Sequence, residues 1–275
     1  MKLKIIVLLS LIFPLQLLSQ KTIEIFPDKL NIQPLTANIL EPKLGFLFQL
    51  SKNELRLDIG NSMDIIQFQN GETTYSLGAD LFTYSLLRSE KNFHFPVDAI
   101  DYLFGLNFGY TKKMREDKFG VRFRLSHISA HFVDGHYDGS NNKWRDNLNP
   151  RVYSREFIEI VPFYSFNSLR VYAGFTYIFH VDPDYIKKDN YQLGFDYFIK
   201  KISWNNLNPF IAYDLKIIHI NNYSTNHSFS AGIKFGKPFE KGLSAYLNFY
   251  SGKNVHGEYF DINKKYFALG INLDL

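Results

Sequence analysis

The feature that most constrains the fold is a two-residue alternation that fills the second half of the chain. Between residues 168 and 275, apolar residues occupy every second position in stretches of about ten, separated by loops rich in Asn, Lys and Asp. One copy sets Leu169, Val171, Ala173, Phe175, Tyr177 and Phe179 against Arg170, Tyr172, Gly174 and Thr176. Side chains alternate between the two faces of a strand, so each stretch predicts a strand with one apolar and one polar face.

The N-terminus has the pattern of an export signal. Lys2 and Lys4 precede an apolar stretch, and the small residue Ser19 is suited to cleavage before Gln20. The stretch is shorter than the roughly 20 apolar residues of a membrane-spanning helix. We therefore predict a signal peptide over residues 1–19, an N-terminal extension over 20–42 and a single domain over 43–275.

Export combined with repeated alternation predicts a single antiparallel transmembrane β-barrel in the outer membrane of a Gram-negative bacterium. Thirteen segments have the pattern: 44–50, 54–60, 63–69, 74–86, 101–111, 119–130, 152–164, 168–180, 190–200, 209–219, 227–235, 242–251 and 265–275. Bacterial single-chain barrels have an even number of strands, so we expect about twelve, within a range of 10–14. The surplus segment is expected before Asn70.

The amino-acid composition limits which cofactors and partners the chain can have. The chain has no Cys, which excludes disulfides, zinc-thiolate sites and a lipid anchor on Cys. Aromatic residues form 17% of the chain, an excess suited to outward apolar bands, whereas a net charge of +4 indicates no nucleic-acid surface. The expected partners are membrane lipid and the outer-membrane assembly machinery, with the protein a monomer or a dimer and without a cofactor.

Charged residues recur on the side of the strands that is expected to face the lumen. They are Arg122, Arg124, Arg155, Glu156, Arg170, Asp196, Lys200, Asp214, Lys216 and Lys234. Such residues either form internal salt bridges that fill a narrow barrel or line a pore. At about twelve strands the filled interior is the favoured alternative.

The densest cluster of reactive side chains begins near residue 126. It comprises Ser126, His127, Ser129, His131, Asp134, His136 and Asp138. The alternation assigns Arg122 and Arg124 to the lumen, so it assigns His127 and Ser129 to the outer, lipid-facing wall. An imidazole beside a hydroxyl on one face of a strand could take the hydroxyl proton and activate the serine.

This His-x-Ser pair resembles the pair carried on the outer wall by two families of barrel hydrolases, outer-membrane phospholipase A and lipid A deacylase. The resemblance implies a lipid acyl ester hydrolase with Ser129 as nucleophile and His127 as base. In the phospholipase an Asn twelve residues after the Ser orients the His, which corresponds to Asn141 here, and calcium would belong to this alternative only. The deacylase uses a Glu to orient its His, and position 141 supplies none.

A longer pattern resembles the family catalogued as domain of unknown function 1207. It runs from Phe26-Pro27 through Pro34-Leu35 and Glu41-Pro42-Lys43 to His127-x-Ser129-x-His131 and Tyr153-Ser154-Arg155-Glu156. The resemblance implies an exported, outer-membrane protein without assigned chemistry.

Three functions therefore remain open: a structural or ligand-binding barrel, a lipid acyl hydrolase using His127, Ser129 and Asn141, and a small solute channel. A metal site at His127, His131, Asp134 and His136 is disfavoured, because residues four apart on a strand lie about 13 Å from each other. His131, Asp134 and His136 stay a candidate polar cluster, and no metal is predicted.

Overall fold

A computed structural model describes residues 21–275, so the expected signal peptide over residues 1–19 lies outside the described part. Among residues 21–275, no helix has the length and apolar character needed to cross a membrane.

The described chain is almost entirely β-structure. Its strands are β1 (Lys21–Ile25), β2 (Leu44–Gln49), β3 (Glu54–Asn70), β4 (Thr73–Arg88), β5 (Val97–Met114), β6 (Asp117–Phe132), β7 (Tyr137–Asp138), β8 (Lys143–Trp144), β9 (Tyr153–Phe166), β10 (Leu169–Asp182), β11 (Asp189–Phe198), β12 (Leu207–His219), β13 (Tyr223–Gly236), β14 (Gly242–Lys253) and β15 (Asn263–Asp274).

Twelve of these strands close into one antiparallel barrel. Each pairs with its neighbours along the chain, and β15 pairs back onto β2, so the sheet has no free long edge at the closure. The strand number confirms the predicted twelve. The predicted segments 54–60 and 63–69 are one continuous strand, β3, with an irregular register between Asp64 and Ile66.

The two ends of the barrel differ in the length of their connections. One end, the short-turn end, has tight turns that use left-handed backbone, as at Gly71 (φ +59°) and Asn167 (φ +53°). The other end, the long-loop end, carries the connection over residues 133–152, which contains the β7–β8 hairpin, and the connection over residues 254–262.

The two faces of the wall have opposite chemistry. Leu81, Leu193 and Phe267 face outward and are 67%, 53% and 56% exposed. Arg56 and Arg170 face inward and are buried with their carboxylate partners. An apolar exterior around a polar interior is the arrangement of a barrel whose outer wall contacts hydrocarbon.

Residues 26–43, which we call the lumen segment, fold into the barrel. β1 pairs with residues 66–70 of β3, and β2 pairs with residues 54–59 of the same strand, so both occupy one strand position in the wall. Between them the chain leaves the wall and buries Leu35, Ala37 and Asn38 in the interior. Prolines at positions 27, 34 and 42 suit this irregular path, because proline lacks the N–H that a strand pairing needs.

Residues 254–262, which we call the lid loop, fold inward from the long-loop end. The Asp101 carboxylate holds the loop: Nδ1 of His256 lies 2.7 Å from Oδ2, and the Gly257 N–H donates to Oδ1 at 2.7 Å. Phe260 packs in an apolar cluster with Ile128 and Ile178 of the wall. The lumen is therefore filled from both ends.

Candidate functional site

The predicted outer-wall residues lie where the alternation of β6 assigns them. His127 and Ser129 are half-buried on the outward face and His131 is exposed, whereas Ser126, Ile128 and Ala130 between them are buried inside. Phe104 of β5 flanks the His127 ring, with the ring centres 4.9 Å apart. The imidazole and the hydroxyl therefore share one face of the wall.

Glu156 of β9 is the residue that the structure adds to this site. Its Oε1 lies 2.6 Å from Nδ1 of His127, and its Oε2 lies 2.5 Å from Nδ1 of His180. An irregularity of β10 between Ile178 and His180 turns His180 outward, opposite Glu156. One carboxylate thus bridges two imidazoles, in an array that we call the outer-wall triplet: His127, Glu156 and His180.

The expectation that Glu156 faces the lumen is wrong. Arg155, its neighbour on the strand, faces inward, and consecutive strand residues must point to opposite sides. The inward residues Phe157 and Glu159 fix the same parity. The alternation of this segment could have placed Glu156 on the wall, although no sequence signal pairs it with His127.

Asn141 lies in the long connection rather than on the wall. Its N–H and its side-chain amide both donate to the Asp138 carboxylate, beside the β7–β8 hairpin. No hydrogen bond of the described residues joins Asn141 to His127, or Ser129 to His127. The geometry brings Glu156, and not Asn141, to the imidazole.

The second predicted cluster does not assemble. His136 is buried: its ring stacks on Phe132 with centres 3.8 Å apart, and its nitrogens lie near the Leu148 carbonyl and the Tyr259 hydroxyl. His131 is exposed on the outer wall, and the Asp134 carboxylate accepts the N–H of Gly135. Within residues 21–275, no group of three or more His, Asp or Glu side chains is arranged to hold a metal ion.

The centre of the lumen holds a buried charge network. Glu41 of the lumen segment, fully buried, accepts hydrogen bonds from Arg122 at 2.6 and 2.8 Å and from Arg124 at 2.7 Å. Nε of Arg124 also lies 2.9 Å from an Asp80 oxygen, and Glu159 completes the group on the other side. We call this network the Glu41 clasp, and it fixes the lumen segment across the barrel.

Other predicted lumen charges also form internal contacts. Arg170 pairs with Asp196 at 2.5 Å and donates to the carbonyls of Gln33 and Pro34, and Lys234 pairs with Asp274 at 2.6 Å. The expectation of a filled interior therefore agrees with the structure. The placement of Lys200 in the lumen is wrong, because β11 ends at Phe198 and Lys200 is exposed in the following turn.

Above the Glu41 clasp, the lumen contains a cavity of about 90 Å³. Ile39 and Leu40 of the lumen segment bound it on one side, and Val255 and Phe260 of the lid loop bound it on the other. In the lid loop, burial lowers the pKa of His256, against the opposing effect of Asp101, and burial raises the pKa of the Glu258 carboxyl. The lid loop therefore disfavours charge on its own buried side chains.

Comparison with solved structures gives the class of barrel. Outer membrane phospholipase A from Escherichia coli is similar over 80% of this chain and 78% of its own, with 14% identity and a TM-score of 0.52. OccAB1 of Acinetobacter baumannii is similar over 93% of this chain and 74% of its own, with 10% identity and a TM-score of 0.37. At such identities the likeness establishes a fold shared with an outer membrane protein and does not favour a phospholipase or channel activity.

Comparison with family models tests the longer resemblance that the sequence motifs indicated. No curated protein matches the chain. The model of the family described as "Protein of unknown function (DUF1207)" matches residues 99–275, which include the outer-wall triplet, both clasp arginines and the lid loop. The chain therefore belongs to the DUF1207 family.

Proposed function

We propose that this chain is an exported protein of the Gram-negative outer membrane whose sealed barrel binds a ligand from the cell surface. The observation that carries the proposal is the Glu41 clasp, which holds the lumen segment across the barrel and leaves a dead-end cavity towards the long loops. A barrel blocked in this way is unsuited to conduction, and a blind cavity is the usual form of a ligand site.

The apolar outer wall and the barrel type support membrane insertion, and the long loops of such barrels face the outside. Membrane lipid and the outer-membrane assembly machinery are the partners that this location requires. A monomer suffices for the cavity, since one chain supplies its lining residues.

The proposal is tested first by location and conductance. The protein should fractionate with outer membranes, run faster on an SDS gel before heating than after it, and stay silent in planar bilayers. Stepwise conductance of the unmodified protein would argue for the channel alternative.

Access to the cavity is tested by single cysteines, because the natural chain has none. A small membrane-impermeant methanethiosulfonate applied to intact cells should modify Thr176→Cys, whose side chain lines the cavity. Asn141→Cys in the exposed loop is the positive control, and Ala37→Cys, 1% exposed in the lumen segment, is the negative control. Modification of Asn141→Cys but not of Thr176→Cys would contradict a cavity open to the surface.

A second candidate function is acyl ester hydrolysis on the outer wall, which the contact between His127 and Glu156 favours. If Nδ1–H of His127 donates to Glu156, the other ring nitrogen is free to act as a base towards the Ser129 hydroxyl. The serine oxygen would then attack the ester carbonyl, and the imidazolium would give its proton to the leaving alcohol. A water molecule, deprotonated by the same imidazole, would hydrolyse the acyl-serine, release the fatty acid and restore the serine hydroxyl. In this mechanism Glu156 would take the orienting role that the resemblance to the phospholipase implied for Asn141.

The hydrolase is tested by fatty acid release from phospholipid and lipid A micelles, with and without calcium. Ser129→Ala should abolish release, and Glu156→Gln should lower the rate by about 10² or more, since a neutral amide favours the wrong imidazole tautomer. Asn141→Ala is the matched variant and should release fatty acid at the unmodified rate. Absence of release from both substrates would remove this function, and a loss confined to Asn141→Ala would restore the original assignment.

A further inference from the structure

The cavity above the Glu41 clasp has one wall suited to hydrocarbon. Ile178, Ile186, Ile218 and Ile220 line it, together with Leu40 below. Ile178 is buried, whereas Ile218 and Ile220 keep partial exposure. Burial of an alkyl chain against these side chains would be favourable by about 0.8 kcal/mol for each CH₂ group.

The same cavity is also lined by two cations. Arg155 of β9 and Lys216 of β12 face inward and line the cavity. Neither forms an ion pair within residues 21–275, where the other charged side chains of the cavity wall, Arg124 and Glu159, belong to the Glu41 clasp.

The Arg155 guanidinium is held but not neutralised. It lies over the rings of Tyr153 and Phe157, 5.6 and 5.8 Å from their centres, and its Nε is buried without a hydrogen-bond partner. An unsatisfied buried donor is costly, and it is more costly on a charged group. A ligand oxygen at this position would remove that cost.

The carboxylate near Lys216 is that of Asp214, and it already accepts hydrogen bonds from other side chains. Asp214 lies two residues before Lys216 on the same inward face and accepts from the Tyr172 hydroxyl at 2.9 Å and from the Gln192 amide. The Lys216 charge acts on this carboxylate from a distance, without a direct ion pair between the two side chains. The cavity therefore combines apolar side chains with two cations that form no direct ion pair among the described residues.

We propose that this cavity binds an amphipathic anion, with a carboxylate or phosphate headgroup held by Arg155, an alkyl chain against the isoleucines, and Lys216 adding positive charge to the same cavity. The inference rests on the proposed ligand-binding function and names its ligand class. Charge-assisted hydrogen bonds to the planar guanidinium orient the headgroup, and the lid loop covers the bound molecule through Val255 and Phe260.

The test is calorimetric titration of the full-length barrel in lipid nanodiscs, with empty nanodiscs as the background. Octanoate and octyl phosphate probe the two headgroups, and octanol and octyltrimethylammonium are the neutral and cationic probes of the same chain length. We expect saturable binding of at least one anion, at least tenfold tighter than binding of octanol. Binding of octanoate alone assigns a carboxylate ligand, and binding of octyl phosphate alone assigns a phosphate ligand.

Variants then locate the bound anion. The double substitution Arg155→Gln with Lys216→Gln should weaken anion binding at least tenfold and leave the melting temperature unchanged or higher, because it removes unpaired charge. Lys112→Gln with Lys113→Gln, which removes two exposed cations near the short-turn end, should bind like the unmodified barrel. Val255→Trp fills the cavity without changing its charge and should also weaken binding at least tenfold.

Equal affinity for octanol and the anions, or unchanged anion affinity in both the double Gln variant and Val255→Trp, would overturn the ligand assignment. This failure is distinct from failure of the proposed function. If Thr176→Cys is modified from outside while no anion binds, the surface cavity stands and only its ligand class is wrong.

Discussion

At the scale of single residues, Glu41 ties the lumen segment to the wall of the barrel. Its side chain is fully buried, and both of its oxygens accept hydrogen bonds from the guanidinium groups of Arg122 and Arg124. Asn38 donates a further bond to Oε1 at 2.8 Å. Burying such charges is tolerable only when they are paired, so the carboxylate and the two arginines depend on each other.

We therefore predict that Glu41→Gln destabilises the barrel by about 3 kcal/mol or more, the range measured when one partner of a buried ion pair is removed. The amide keeps the shape of the side chain but removes the carboxylate that both arginines share, leaving them only Asp80 and Glu159 as counter-charges. Urea unfolding in detergent measures the change in the free energy of unfolding. Glu24→Gln, on the exposed strand β1, is the control and should change stability by less than about 0.5 kcal/mol.

A Glu41→Gln barrel as stable as the unmodified protein would mean that Glu159 and Asp80 alone compensate the arginines. The lumen segment would then be held by its backbone contacts, such as those from Arg170 to the carbonyls of Gln33 and Pro34.

At the scale of elements, the strands of the wall and their inward charges were predictable, whereas the position of the lumen segment was not. The alternation predicted the strands closely because it depends only on local sequence: the segment 242–251, for example, corresponds to Gly242–Lys253. It also predicted that Arg122 and Arg124 face the lumen. Residues 20–42 were expected as an extension without a position, because their placement depends on contacts with β6 and β10 that lie far away in the sequence.

The outer-wall site was predictable to a similar degree. The alternation of side chains along a strand placed His127 and Ser129 together on the outside, since they lie two residues apart on β6. Their partner Glu156 comes from β9, which pairs with β6 across the long connection over residues 133–152. A fixed offset along the chain led instead to Asn141, whereas the register between the two strands determines which side chain meets the imidazole.

At the scale of the whole molecule, two segments fill one barrel from opposite ends. The lumen segment occupies the middle and the short-turn end, and the lid loop occupies the long-loop end above the cavity. The Glu41 clasp holds the lumen segment, and Asp101 holds the lid loop. Because these residues differ, one segment can be deleted while the residues that hold the other segment stay in place.

We predict that the barrel conducts when the lumen segment and the lid loop are both removed, and that the open form prefers anions. The lumen segment, residues 26–43, is replaced by a six-residue Gly-Ser linker, which matches the stretch of β3 between the positions paired with β2 and β1, Ile59 and Ile66. The lid loop is replaced by a short turn in the same chain. Without Glu41, Arg122 and Arg124 keep only Asp80 and Glu159 as partners, while Arg155 and Lys216 stay without an ion pair, and such an excess of cations favours anion passage.

Planar bilayer recordings in a salt gradient give both conductance and the sign of the selectivity, with migration on unheated SDS gels as the check that each variant is folded. The variant lacking only the lid loop is the matched control and should stay silent, because the lumen segment still crosses the barrel. Conductance of that control would place the seal in the lid loop. A folded double variant that stays silent would show that inward side chains of the wall close the barrel on their own.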